Sequence, residues 1–154
     1  MLKADAPLLV NPKPSPHKIG WMAEFAAQMP RYRDNTITTT RLAIAARDHL
    51  LRTAEEDASG FDLEEKGILH FYHDRQTFET ASKANVLINE GGLERYAVTP
   101  EEIRAIEPTL HGHFFGGFYT PSDFTGDVHK YSNGLDEACI RKGATFLMER
   151  FVTA

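Results

Sequence analysis

Three features of this 154-residue sequence predict an α+β fold, with an antiparallel or mixed sheet carrying helices on one side. Apolar residues recur at three- and four-residue spacing over residues 17–29 and again over 35–58, as on one face of a helix. Short β-prone runs bounded by turn residues alternate with further helical stretches. Helix-capping signals stand where one kind of element gives way to the next. With 42% hydrophobic residues, the chain has enough apolar side chains for one core.

The elements follow in order. Pro7, Pro12, Pro14 and Pro16 remove backbone donors and bias the residues before them to extended conformations, so residues 1–16 read as an arm. Ile19, Trp21, Met22, Phe25, Ala26 and Met29 make one face of a helix over residues 17–29, which Pro30 ends. A longer helix over residues 35–58 carries Ile37, Leu42, Ile44, Leu50 and Leu51 and stops at Ser59-Gly60. Residues 67–73 have the length and β-propensity of a strand, and Asp74 caps a helix reaching Glu90, with Gly91-Gly92 as its end.

Tyr96-Ala97-Val98 is a short strand. Thr99-Pro100-Glu101-Glu102 is a strong helix start: a hydroxyl cap, a proline in the first turn and a carboxylate three residues after the cap. Residues 113–119 are strand-like, and their two interior glycines mark a place where another backbone or a ligand comes close, hence a candidate site wall. A helix over residues 127–141 closes at Lys142-Gly143, and a last strand over residues 145–152 leaves an unpaired edge.

Charge and cysteine content narrow the function. Lys and Arg total 17 against 22 Asp and Glu, a net charge of -5 with no long block of one sign, so there is no electrostatic case for nucleic acid or anionic lipid. The lone Cys139 sits among Leu135, Ala138 and Ile140 and reads as a small buried side chain. No apolar run approaches the roughly 20 residues that a membrane helix needs.

The motifs of nucleotide and hydrolase chemistry are absent: no glycine fingerprint after a strand, no phosphate loop, no nucleophile elbow, no paired-histidine zinc helix. His70 and His73 fall on opposite faces of a strand, while His111 and His113 could share one, and two ligands do not make a metal site. The segment Asp123-Phe124-Thr125-Gly126-Asp127-Val128-His129 gathers polar side chains and a helix N-terminus, whose unpaired N–H groups suit a carboxylate or a flavin carbonyl. The plainer reading is that Asp127 or Thr125 caps the helix, and the two are compatible.

Several segments together resemble the middle of D-amino-acid dehydrogenases, members of the FAD-dependent amino-acid and amine oxidoreductases that include glycine and sarcosine oxidases. They are Leu2-Lys3-Ala4-Asp5-Ala6-Pro7-Leu8, the strand Gly67-Ile68-Leu69-His70-Phe71-Tyr72, Ile106-Glu107-Pro108-Thr109-Leu110, and the run from Phe118-Tyr119-Thr120-Pro121 to Thr125-Gly126-Asp127. The resemblance covers residues 2–153 and is strongest in the order and spacing of the Glu-Pro element, the glycine-containing strand and the Thr-Gly-Asp turn.

It implies that residues 17–154 are the substrate-binding (cap) region of a parent enzyme, with the FAD-binding domain missing on both sides. A βαβ unit with the glycine fingerprint should precede Leu2, and the part supplying an arginine for the substrate carboxylate should follow Ala154. The parent would oxidise a D-amino acid to an imino acid, which hydrolyses to the 2-oxo acid and ammonia, with electrons leaving to a membrane quinone or another acceptor. Such a parent would be cytoplasmic or peripheral to the inner membrane. The fragment alone is expected to be inactive and to retain no FAD, its partners being a small amino-acid substrate and the remaining FAD domain.

No catalytic residue is carried over. Tyr119, Thr125, Asp127 and His129 are expected to line the substrate or flavin, and Val128-His129 departs from the polar residues usual after this turn, which puts substrate preference in doubt. His129 alone of the four can titrate near neutral pH, and hydride transfer from a neutral amine needs no base there. Two other readings stand beside this one: a non-catalytic α/β binding module derived from that domain, and a fragment of a glycine- or sarcosine-type flavin amine oxidase. Self-association through the exposed edge strand or an apolar patch is expected of a fragment.

Overall fold

The computed structural model describes residues 13–57 and 60–151, so most of the proline-rich arm, and Ser59 of the expected Ser59-Gly60 helix stop, lie outside the described residues. The chain divides into two compact units, one ending at Asn35 and the other beginning at Thr36.

In the first unit, helix α1 (Pro16–Gln28) starts at the proline itself, because Ser15 accepts the Lys18 N–H and Pro16 takes the first helical position. Pro30 does not end the helical run as expected. It opens a single 3-10 turn (Met29–Arg31), where its missing donor costs little, and α2 (Tyr32–Asp57) follows at once. The apolar face of α1 is largely open to solvent, with Trp21 stacked on Phe25 at 5.8 Å.

The second unit is built on a three-stranded antiparallel sheet. Its strands are β1 (Ile68–Tyr72), β2 (Tyr96–Val98) and β3 (Gly116–Thr120), in the order β1-β3-β2. The last strand in sequence is the central one: Phe118 stands opposite His70 on one side and Ala97 on the other, and Gly117 stands opposite Phe71 and Val98. Between the strands lie α3 (Arg75–Glu90) and α4 (Pro100–Ile106), and α5 (Val128–Arg141) follows β3.

The antiparallel sheet agrees with the expectation, but helices cover both of its faces. Side chains alternate along β3, so Phe118 meets α3, where Phe78 stacks on it at 5.1 Å with planes 8° apart. Gly117 turns to the other face, where Ile103 of α4 is completely buried against Val98 and Phe114. Both faces carry large apolar side chains, and each needs a cover.

The glycine pair in β3 has an internal reason. A Cβ on Gly117 would lie 2.6 Å from the His70 carbonyl oxygen, and one on Gly116 would lie 3.1 Å from the Phe78 ring. The close neighbours are the adjacent strand and the α3 aromatic, so these positions serve packing.

The capping signals are realised as read. Asp74 accepts the Thr77 N–H at the head of α3, and Thr99 and Glu102 form a reciprocal capping box on α4. Two expectations fail at the C-terminal end. Cys139 is exposed, because α5 turns Ala138 inward and the next residue lies about 100° further round the helix. The strand expected over residues 145–152 is absent over 145–151: a turn forms at Met148 and Glu149, with Glu149 at φ 54°, and Phe151 is 98% exposed. A strand needs a ladder to join, and this segment has none here, so the edge expected to drive self-association does not form.

Candidate functional site

The turn after β3 is sewn to residues 61–67. Thr125 and Glu64 exchange both backbone hydrogen bonds, Gly67 N–H donates to the Asp123 carbonyl, and Asp127 N–H donates to the Phe61 carbonyl at 2.7 Å. Phe61 is buried and packs edge-on against Tyr131 of α5 at 5.3 Å, and a Cβ on Gly126 would strike its ring at 2.5 Å. Only glycine lets the turn approach so closely. Lys130 Nζ pairs with Asp62 at 2.6 Å across the same junction.

Asp127 is the helix cap. One carboxylate oxygen accepts the N–H groups of His129 and Lys130 at 2.9 and 3.0 Å. The Lys130 N–H, then those of His129 and the nearby positive charges, hold its pKa below the usual carboxylate value. Two of the donors that could have met an external anion are thereby occupied by the protein's own carboxylate.

Thr125, Asp127 and His129 thus share one turn and helix start, whereas Tyr119 belongs to the sheet face covered by α4. Its hydroxyl donates to the Lys66 carbonyl at 2.8 Å, and its ring meets Tyr96 at 5.8 Å. His129 is exposed, with Nε2 at 3.1 Å from Asn133 Nδ2. The four residues named from the sequence do not converge on one cavity.

A cavity does open beside the turn, with a volume of about 500 Å³. Its apolar wall comes from Ile44 and Leu50 of α2, Ile88 of α3, Leu93 and Phe124. Its polar lining is Thr39, Thr40, Arg47 and Asp123. Size and character match a small-molecule pocket: apolar walls with a few polar groups.

Arg47 is held in place by donating to the Ser122 carbonyl at 3.1 Å, and its Nε lies 3.6 Å from Asp48 on the same helix. Asp123 accepts the Phe124 N–H through Oδ1, and both of its backbone groups are also engaged. His70 lies within electrostatic range: burial first, then Arg95, holds its pKa below the usual histidine value, and Asp123 opposes the shift. Under α3, Asn85 Oδ1 and Arg95 Nε are buried without partners. No group of three or more metal-binding side chains exists among the described residues.

Arg47 and Phe61 went unnoticed in the sequence. Each acts through a contact more than sixty residues away, which no local motif announces; Arg47 reaches Ser122, and Phe61 meets Gly126 and Tyr131.

Among the described residues the strands are all antiparallel. No described helix is long and apolar enough to cross a membrane.

Known proteins resemble this chain as follows. Residues 15–154 match the family model described as DAO, FAD dependent oxidoreductase. D-amino acid dehydrogenase 3 of Mesorhizobium japonicum is 56% identical over 153 residues, covering 99% of this chain and 37% of that protein. The D-amino acid dehydrogenase of Paramagnetospirillum magneticum is 37% identical over 150 residues, covering 94% and 36%. The chain therefore spans little more than a third of the length of these curated relatives. Among solved structures, glycine oxidase from Bacillus cereus superposes with a TM-score of 0.56 at 18% identity, over 71% of this chain and 30% of that one. L-proline dehydrogenase from P. horikoshii gives 0.56 at 19%, over 70% and 27%. At such identities the structural matches speak for the fold alone.

Proposed function

Because the chain belongs to the FAD-dependent oxidoreductase family, we propose that it is the substrate-side segment of a longer D-amino acid dehydrogenase. The observation that carries this reading is 56% identity to a D-amino acid dehydrogenase along 99% of the chain. The longer enzyme would take a hydride from Cα and a proton from the amine nitrogen of a D-amino acid, leaving a Cα=N double bond. Water then converts the imino acid to a 2-oxo acid and ammonia, and the electron pair passes through FAD to a quinone or another acceptor. A quinone acceptor would bring the longer enzyme to the cytoplasmic side of the inner membrane.

FAD is held by the remainder of the longer protein, and this chain alone is colourless and inactive. The chain's part is to form a wall beside the substrate. Thr125, Asp127 and His129 present that wall at the turn and the start of α5, and Tyr119 supports the sheet behind it.

The test is a dye-reduction assay on the longest reading frame that contains this chain, with the 154-residue chain as control. The expected result is a yellow long form that reduces dye with D-amino acids and not with their L-enantiomers, beside an inert short chain. A long form that binds no flavin, or a reading frame that ends with this chain, overturns the proposal in favour of a binding module.

A further inference from the structure

Six large apolar side chains on α1 and the turn after it stay open. Ile19, Trp21, Met22, Phe25, Met29 and Tyr32 are each between 52% and 62% exposed, and no residue of the helix is buried. Ile19, Met22, Ala26 and Met29, together with Phe25, recur at three- and four-residue spacing and so share one side of the helix. Trp21 stacks on Phe25 at 5.8 Å and stands at the rim of that side. An open apolar face of this extent marks a contact with something else.

Local charge points to what that contact is. The chain as a whole is acidic, with 17 Lys and Arg against 22 Asp and Glu, and offers anionic lipid no general attraction. Residues 13–35, the described part of the first unit, reverse the sign: Lys13, Lys18, Arg31 and Arg33 stand against Glu24 and Asp34. The basic residues flank the apolar face at its two ends. Asp34 lies 3.7 Å from Arg33, and Glu24 is on the side opposite Met22 and Ala26, two residues from each.

Lys18 separates a lipid surface from a protein partner. It lies in the apolar row itself, four residues before Met22 and seven before Phe25, and its Nζ donates to the Lys13 carbonyl. A protein interior covering this face would have to bury the ammonium. At a lipid surface its stem lies along the apolar side chains while its head reaches the headgroups.

We propose that α1 docks on a bilayer surface rich in anionic lipid, lying in the plane of the headgroups with Ile19, Met22, Phe25 and Met29 at the acyl boundary. Its 13 residues make a helix about 20 Å long, against roughly 30 Å of hydrocarbon, so it lies on the membrane and does not cross it. Trp21 takes the headgroup level, where an indole is favoured, and Lys18 and Arg31 meet lipid phosphates. That such docking brings the longer enzyme to a quinone rests on the function proposed above; the docking itself needs neither flavin nor turnover.

Trp21 is the one tryptophan of the chain and reports on its own contact. Its emission is recorded in the 154-residue chain as vesicles of phosphatidylglycerol and phosphatidylcholine are added, with pure phosphatidylcholine in parallel. The expected result is a saturable blue shift and quenching by lipids brominated high on the acyl chain, with neutral vesicles bound about tenfold or more weakly. Phe25→Gln and Arg31→Glu should each weaken binding by about tenfold or more, while Gln28→Ala, on the polar side, leaves it unchanged. The long form, followed by vesicle flotation, should show the same order, and Phe25→Gln should leave its dye reduction in solution as it was.

Four outcomes overturn the inference: emission that no vesicle shifts; a shift that appears on concentrating the protein without lipid, which makes a second copy the occupant; equal binding to neutral and anionic vesicles; and a long form that stays in solution while the 154-residue chain binds, which makes the remainder of the longer chain the cover. Docking by a long form that reduces no dye leaves this inference standing and removes the proposed function. Dye reduction by a long form that binds no vesicle does the reverse.

Discussion

Asp127→Ala and Asp127→Asn separate capping from charge at the head of α5. The native carboxylate accepts two backbone N–H groups, and its pKa is lowered by them. A carboxyl group whose folded pKa is depressed contributes stability that is full above its unfolded value and lost as pH falls through the folded one. Thermal melts should therefore show Asp127→Ala well below the parent at neutral pH, with the gap closing in strong acid. Asp127→Asn, which still caps, should lie between them. Equal melts for all three at neutral pH would contradict the capping role.

His70 works in the opposite range. Burial, with Arg95 adding to it, lowers its pKa, so the unfolded chain takes up the proton first as pH falls. Its contribution is complete above the ordinary histidine value and is lost as pH drops from there through the lowered one. Replacing His70 with Gln should flatten the fall in melting temperature between about pH 7 and 5; an unchanged slope would show that other groups cause it. Asp127 was legible as a cap because Thr-Gly-Asp before a helix is a local signal. The influence of His70 on the turn was not, since it depends on how β1 lies relative to Asp123 and Arg95.

Among the elements, α4 is the clearest case of a local signal that folded as read. Thr99→Ala should cost about 1 kcal/mol by removing one half of the capping box. Ile103→Ala should cost about 2–5 kcal/mol, because this side chain is wholly buried under the sheet. Chemical denaturation of the two variants checks the order: a larger loss for Thr99→Ala would mean that the cap, and not packing, holds α4.

Elements that depend on distant neighbours were harder to read. Residues 145–151 have strand-like composition but no ladder to join, so composition alone misplaced them. Pro30 was read as a stop, yet it lies at the start of a turn, where proline is tolerated. The helices on both sides of the sheet follow from the register of β3, which local periodicity does not specify.

At the scale of the molecule, the three strands and few fully buried side chains among the described residues make a small core. Large apolar side chains remain open on α1 and after α5, among them Trp21, Phe25, Leu147 and Phe151. This is the surface expected of a segment whose relatives are nearly three times as long, at 37% coverage. In the proposed D-amino acid dehydrogenase, the part of that surface after α5 meets the remainder of the longer chain. Its most direct test is to add D-leucine, without oxygen, to the purified long form and follow the absorbance band of oxidised flavin. The account predicts bleaching by D-leucine and none by L-leucine; a flavin band that no D-amino acid bleaches, or no flavin band at all, would contradict it.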